Sequence, residues 1–165
     1  METSLWKIFD NVNSWLKYAE GKNAYILTFI GAQITLIKFL KCPMNGWMTT
    51  GLIFLGICFF FCLFSFFPKT VITSWFYNLS NSNEPPDEKD NLLFYGHIVK
   101  YSIEQYIEKM QKYLNGQIKG NKYLEDLCAQ VVINAGITNA KFNLFKINLW
   151  MMFTGQIFFI ISLIG

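Results

Sequence analysis

The chain alternates between long apolar runs and polar stretches, and the runs set the first reading. Three stand out: Tyr25 to Phe39 (YILTFIGAQITLIKF), Gly51 to Phe67 (GLIFLGICFFFCLFSFF) and Ile147 to Gly165 (INLWMMFTGQIFFIISLIG). The second and third hold no charged residue. They approach or reach the roughly 17–20 helical residues that a bilayer core requires. The first is shorter and carries Lys38 near its end, where a lysine reaches back to the headgroups. All three are expected to be membrane spans. Between the first two, Pro43 and the Asn45–Gly46 pair predict a turn, and Trp47 suits a membrane interface. Spans one and two therefore read as an antiparallel hairpin.

The polar stretches carry helical periodicity of their own. Val12, Trp15, Leu16, Ala19 and Asn23 recur at three- and four-residue spacing, and the pattern runs on into Ile26 and Ile30. This predicts an amphipathic helix that feeds span one, with Glu20, Lys22 and Asn23 at the membrane surface. Asn78 to Asp90 is polar and holds two prolines, which predicts a flexible loop with Asp87, Glu88 and Asp90 solvated. Ser102-Ile103-Glu104-Gln105 has the pattern of a capping box, which opens a helix expected to stop at Gly116. A last helix starts near Asn121 and carries Leu124, Leu127, Val131 and Ile137. Nothing breaks it before the third span, since Gly136 costs only about 1 kcal/mol. Helix and span are expected to form one rod.

The resulting fold class is an all-α integral membrane protein with three transmembrane helices, a hairpin plus a C-terminal span, and a helical cytoplasmic part. Its segments are 1–24 (cytoplasmic amphipathic helix), 25–67 (transmembrane hairpin), 68–143 (cytoplasmic helical segment) and 144–165 (C-terminal transmembrane helix). Lys7, Lys17 and Lys22 precede span one, and eight lysines fall between residues 68 and 143. Positive charge of this kind stays on the cytoplasmic side, so the N-terminus and the long segment face inward and Gly165 outward. Residues 1–10 are mixed in charge and lack the apolar region and cleavage site of a secretory signal.

Composition narrows the function classes. The chain is 53% hydrophobic and 15% charged, against about 25% charged in a typical soluble domain. All 14 basic residues are lysines and the net charge is only +3, which argues against duplex nucleic acid as a partner. Cys42, Cys58, Cys62 and Cys128 have no metal-ligand company, and His97 is the only histidine. Neither a catalytic set nor a phosphate-binding glycine loop is recognisable, so no enzyme activity, metal or cofactor is expected. Polar residues are more informative. Gln130, Asn134 and Lys141 share one face of the last helix. Gln33 and Gln156 lie inside expected spans, where an amide needs a partner, and Gly31/Thr35 is a small-xxx-small step. These features predict helix association and a homo-oligomer.

Motif order adds a resemblance. Trp15 leads into Ala19-Glu20-Gly21-Lys22-Asn23-Ala24 and span one. The hairpin is followed by Pro68-Lys69, then by Leu93-Phe94-Tyr95-Gly96-His97-Ile98 and Ser102-Ile103-Glu104-Gln105-Tyr106. Tyr123-Leu124-Glu125-Asp126-Leu127 then leads through Gln130, Asn134 and Lys141 to the last span. Over residues 12 to 164 this arrangement resembles the transmembrane effectors of the pyrimidine-cyclase anti-phage system, Pycsar. It departs from them in having Glu20 where aspartate is more usual and no acid beside His97. The two-span SLATT proteins are similar in architecture. The resemblance implies an inner-membrane effector that responds to a cyclic pyrimidine mononucleotide, cyclic UMP or cyclic CMP, by impairing the membrane in abortive infection. Trp15, Lys22, Asn23, Gln130, Asn134 and Lys141 are the candidate ligand residues. They supply an aromatic face, amides and lysines for a pyrimidine and a phosphate, and they fit helix packing equally well. A holin-like pore former without a ligand and a membrane-anchored scaffold for a partner enzyme are the other open readings.

Overall fold

A computed structural model describes residues 2–39, 42, 44–67, 80, 82, 84–116 and 118–164. The helices are α1 (Glu2–Phe39), α2 (Gly46–Phe66), α3 (Tyr95–Ile98), α4 (Ile103–Tyr113) and α5 (Lys122–Ile164), and no strand occurs among the described residues. The chain divides into two compact units. One comprises Met1–Ala19 and Lys69–Phe142, the other Glu20–Pro68 and Asn143–Gly165. Both α1 and α5 contribute residues to each unit.

In the first unit the helical spacing of apolar residues becomes the core. Leu5, Ile8 and Val12 of α1 are buried, as are Tyr106 and Met110 of α4 and Leu124, Leu127, Cys128, Val131 and Ala135 of α5. Burying each such aliphatic side chain contributes about 1.5–3 kcal/mol. The capping box is present in full: the Gln105 backbone N–H donates to Ser102 Oγ and the Gln105 side chain accepts from the Ser102 backbone N–H. After α4, Asn115 takes a left-handed φ of 47°. Gln111 Oε1 then accepts from the N–H groups of Ile118 and Lys119, which ties the turn down. Asn121 Oδ1 accepts from Leu124 N–H at the start of α5.

The acidic run departs from expectation. Glu88 is exposed, but the side chain of Asp90 is only 4% exposed and pairs with Lys100 at 3.1 Å. Tyr101 Oη donates to Asp90 and to the carbonyl of Asp87, and Asp87 N–H donates to Asp90. Lys100 also reaches Glu84 at 2.8 Å. Asp90 is thus tied to the 97–101 segment rather than solvated, because its carboxylate collects several donors, while Asp87 and Glu88 are exposed as expected. His97 is part of the same scaffold: its Nδ1 accepts from Asn91 N–H at 2.7 Å, and its ring meets Phe94 edge to face.

In the second unit α2 is apolar on all sides. Asn45 is its N-cap rather than part of a turn: Oδ1 accepts from Met48 N–H, and Nδ2 donates to the Ser162 carbonyl. Pro43, Pro68 and Lys69 lie outside the described residues. Leu55, Cys58 and Cys62 pack with Ile26 and Ile30. Trp47 and Phe54 both stack on Phe158. Gly51 and Gly155 let α2 and α5 approach closely, whereas Gly31 meets nothing within 4 Å. Outward-facing residues include Ile53, Phe60, Phe67, Trp150, Ile157 and Ile164. Water-facing surfaces rarely expose so continuous an apolar area. Among the described residues two helices, α2 and α5, are long and apolar enough to cross a membrane. Residues 25–39 are helical within α1.

Candidate functional site

The six candidate residues fall in both units. In the first unit Trp15 is half-buried at the centre of an aromatic cluster. Its ring lies 5.8 Å from Tyr95, 6.2 Å from Phe94 and 6.4 Å from Phe142. Tyr95 and Phe142 stack at 5.1 Å with planes 10° apart. Burial raises the Tyr95 phenol above its ordinary pKa, so it stays a neutral donor. One side of Trp15 opens on a shallow groove of about 410 Å³ lined by Asn11, Ser14, Trp15 and Tyr18. Asn11 Nδ2 donates to the Leu93 carbonyl and Ser14 Oγ to the Asn11 carbonyl, which fixes this lip.

The three α5 candidates share a helix face but not an environment. Gln130 is exposed, Asn134 is half-buried, and Lys141 is only 4% exposed. Asn134 Nδ2 donates to Asn13 Oδ1 at 2.9 Å, a contact between α5 and α1 that periodicity alone does not reveal. An ammonium buried as deeply as Lys141 requires polar company.

Lys22 and Asn23 belong to the second unit. The Lys22 ammonium lies 5.0 Å from the Phe145 ring centre, a cation–π geometry. Asn23 is fully buried and accepts from Asn148 Nδ2 at 3.4 Å. Asn148 also donates to Cys62 Sγ, and Cys58 Sγ donates to the Asn148 carbonyl. The two α2 thiols thus make polar helix contacts. Asn148 went unremarked in the sequence; its signal was an amide inside an apolar run, the same signal that singled out Gln33 and Gln156.

A second groove in the first unit, of about 300 Å³, is lined by Glu104, Glu108, Glu125 and Asp126 against Lys119 and Lys122. Its carboxylates outnumber its ammonium groups, which disfavours a phosphate. Among the described residues no group of three or more His, Cys, Asp or Glu side chains is set to hold a metal ion.

The family comparison decides what kind of molecule carries these features. A model named PycTM, described as the Pycsar effector protein domain, matches residues 4–165. The chain belongs to the Pycsar effector family. Its role is that of a Pycsar anti-phage effector associated with a membrane. No curated protein and no solved structure matches the chain. Within this Pycsar effector, Trp15, Gln130, Asn134 and Lys141 lie in the first unit; in the second, Lys22 is half-buried along a groove and Asn23 is fully buried.

Proposed function

We propose that this Pycsar effector is a nucleotide-responsive membrane-impairing protein of the bacterial inner membrane. Residues 25–39, α2 and the C-terminal part of α5 form three spans, with the N-terminus and residues 68–143 in the cytoplasm. Tyr25, Phe29, Leu36 and Phe39 of the first span are exposed, which fits contact with lipid. The ligand is a cyclic pyrimidine mononucleotide, cyclic UMP or cyclic CMP. Its response is loss of the membrane barrier and death of the infected cell. No catalytic step is assigned to the chain, and it acts as a homo-oligomer.

The observation that carries the ligand reading is the half-buried Trp15 beside an open groove in the unit that holds residues 69–142. A pyrimidine has a π-face, and stacking a base on an aromatic side chain contributes about 1–3 kcal/mol. Asn11, Ser14 and Asn134 supply amide and hydroxyl groups for a base edge, and Lys141 supplies positive charge for the phosphate. A ligand changes a membrane state only by binding one conformation better than another.

Cells that contain the cyclase supply the test. Trp15→Ala, Lys141→Ala and Lys22→Ala are expressed with it, and toxicity is read together with the amount of inserted protein. Loss of a charge-assisted bond costs about 1.5–3 kcal/mol, roughly ten- to more than a hundredfold in affinity. Toxicity lost at normal abundance in the Trp15 and Lys141 variants supports the site. Toxicity retained at normal abundance in both removes it. In liposomes of purified protein, leakage without nucleotide points to a ligand-independent pore, and no leakage in any condition points to a scaffold.

A further inference from the structure

The interior of the unit formed by Glu20–Pro68 and Asn143–Gly165 is not uniformly apolar. A groove between α1 and α5 is lined by Lys22, Ile26 and Phe29 on one side and by Phe145, Leu149 and Met152 on the other. Lys22 faces Phe145. Both helices advance by four and then three residues through these positions, and one further step of four reaches Gln33 on α1 and Gln156 on α5. Helical periodicity therefore continues the groove-facing side of each helix to these two amides. Gln33 Oε1 and Gln156 Nε2 are both buried without a protein hydrogen-bond partner. One lacks a donor and the other lacks an acceptor.

A second polar layer lies nearer the Lys22 end. Asn23 and Asn148 are fully buried and joined by a hydrogen bond, with the thiols of Cys58 and Cys62 against Asn148. Asn148 Oδ1 is a third buried atom without a partner. Asn23 and Gln33 are ten residues apart on α1, or about 15 Å along the helix. Apolar side chains such as Ile26 and Ile30 pack between the layers.

We propose that this α1–α5 seam is the path by which water and small ions cross the membrane in the active effector. The proposal rests on the membrane-impairing reading above. Asn23, Asn148, Gln33 and Gln156 form the wall of the path, and the apolar stretch between the two layers keeps it dry at rest. Lipid offers no hydrogen bond to an amide, so separating α1 from α5 toward lipid breaks the Asn23–Asn148 bond and leaves Gln33 Oε1, Gln156 Nε2 and Asn148 Oδ1 still without a partner. Separation with water entry satisfies them, since a buried water takes two to four polar partners. The unpaired atoms therefore lower the cost of hydrating this seam relative to an apolar one. An apolar constriction between polar layers gates by dewetting. No carboxylate occurs among these residues, so the path gives permeation with little ion selectivity.

The test uses the full chain in liposomes, with ion leak and protein insertion measured side by side. Gln156→Glu places a charge in the seam and is expected to leak without nucleotide at least about tenfold faster than the parent, by an energy near 1.4 kcal/mol. Gln156→Leu and Asn148→Leu are expected to insert normally and to lose nucleotide-evoked leak by a similar factor. In a Cys42→Ser/Cys128→Ser background, Cys62 is expected to react with a charged methanethiosulfonate only in leaking vesicles. Full leak from both leucine variants at normal insertion overturns the proposal, as does a Cys62 that stays shielded while the membrane leaks. A normally inserted Gln156→Glu protein that does not leak overturns it too. If Gln156→Glu fails to insert, the leucine variants and Cys62 decide. A leaking Gln156→Glu protein beside a parent silent to cyclic UMP and cyclic CMP supports the seam and removes the nucleotide reading. A responsive parent matched by equally responsive leucine variants does the reverse.

Discussion

Gly51 and Gly155 meet backbone to backbone: a Cβ on Gly51 would stand 3.1 Å from the Gly155 carbonyl oxygen. Such a Cβ also comes within 3.5 Å of Phe158 Cβ, so α2 and α5 have no slack to accept it. Gly51→Val is expected to destabilise the protein by about 1–3 kcal/mol through overpacking. Gly31→Val is the control, because nothing lies within 4 Å of a Cβ there. Melting in mild detergent checks the pair: the Gly51 variant falls and the Gly31 variant holds. If Gly31 lies between copies, its variant loses oligomer mass while the fold survives.

Ser102 caps α4 through both halves of its box with Gln105, and Ser102 Oγ also donates to Glu104. Ser102→Ala leaves the first-turn N–H groups without this acceptor and is expected to cost about 0.5–2 kcal/mol, whereas Ser102→Gly costs a few tenths. Thermal melts of the two variants against the parent give the comparison. Equal melting of all three would show that tertiary packing alone holds α4.

Acid is expected to loosen the loop that precedes α3. Burial works against the Asp90 carboxylate, but Asp87 N–H, Lys100 and Tyr101 together hold its pKa below the ordinary value. A carboxyl whose folded-state pKa is depressed contributes stability above its unfolded value, about 3.9, and loses it as pH falls through the folded value. Lys100 is raised by Glu84 and Asp90. Its contribution is present below an unfolded value of about 10.4 and fades as pH rises through the folded one. Tyr101, pushed up to about 12 by burial and by Asp90, follows the same alkaline direction. Asp90→Asn is expected to lower melting at pH 7 and to flatten its decline between pH 5 and pH 3. A decline as steep as the parent's would place the acid sensitivity elsewhere.

Features written in a few consecutive residues were legible in advance, and features that depend on distant partners were not. Ser102 and Gln105 are three apart, so their cap is visible in the chain itself. Likewise Val12, Ala19, Ile26 and Ile30 mark one face of α1, and the absence of a breaker after Asn121 foretold the length of α5. Asp90 looked solvated because the groups that bury it, Lys100 and Tyr101, come ten and eleven residues later and are brought in by the fold. Gly31 and Gly51 look alike as letters; only Gly51 has Gly155 opposite it. Trp15 is an aromatic candidate in the chain itself, but Phe94, Tyr95 and Phe142 gather around it only in three dimensions. Asn13 went unnoticed for the same reason, being defined by Asn134 on another helix.

Membrane orientation gives the final prediction. Of the 14 lysines, Lys7, Lys17 and Lys22 precede the first proposed span and eight more lie between residues 68 and 143. Only Lys38 and Lys41 flank the far end of that span. Cytoplasmic loops keep an excess of lysine, so the Asn45 end of α2 is expected outside and Glu88 inside. Both positions are suitable reporters: Glu88 is exposed and Asn45 is half-buried at the start of α2. Cys42 is partly exposed close to Asn45, so the background requires Cys42→Ser; Cys58, Cys62 and Cys128 are buried. In intact cells, a membrane-impermeant maleimide should label Asn45→Cys and leave Glu88→Cys unmodified until the membrane is opened. Labelling of Glu88→Cys in intact cells, with Asn45→Cys protected, would invert the topology. The Trp15 groove would then face away from any nucleotide made in the cytoplasm, and the proposed signalling route would fall with it.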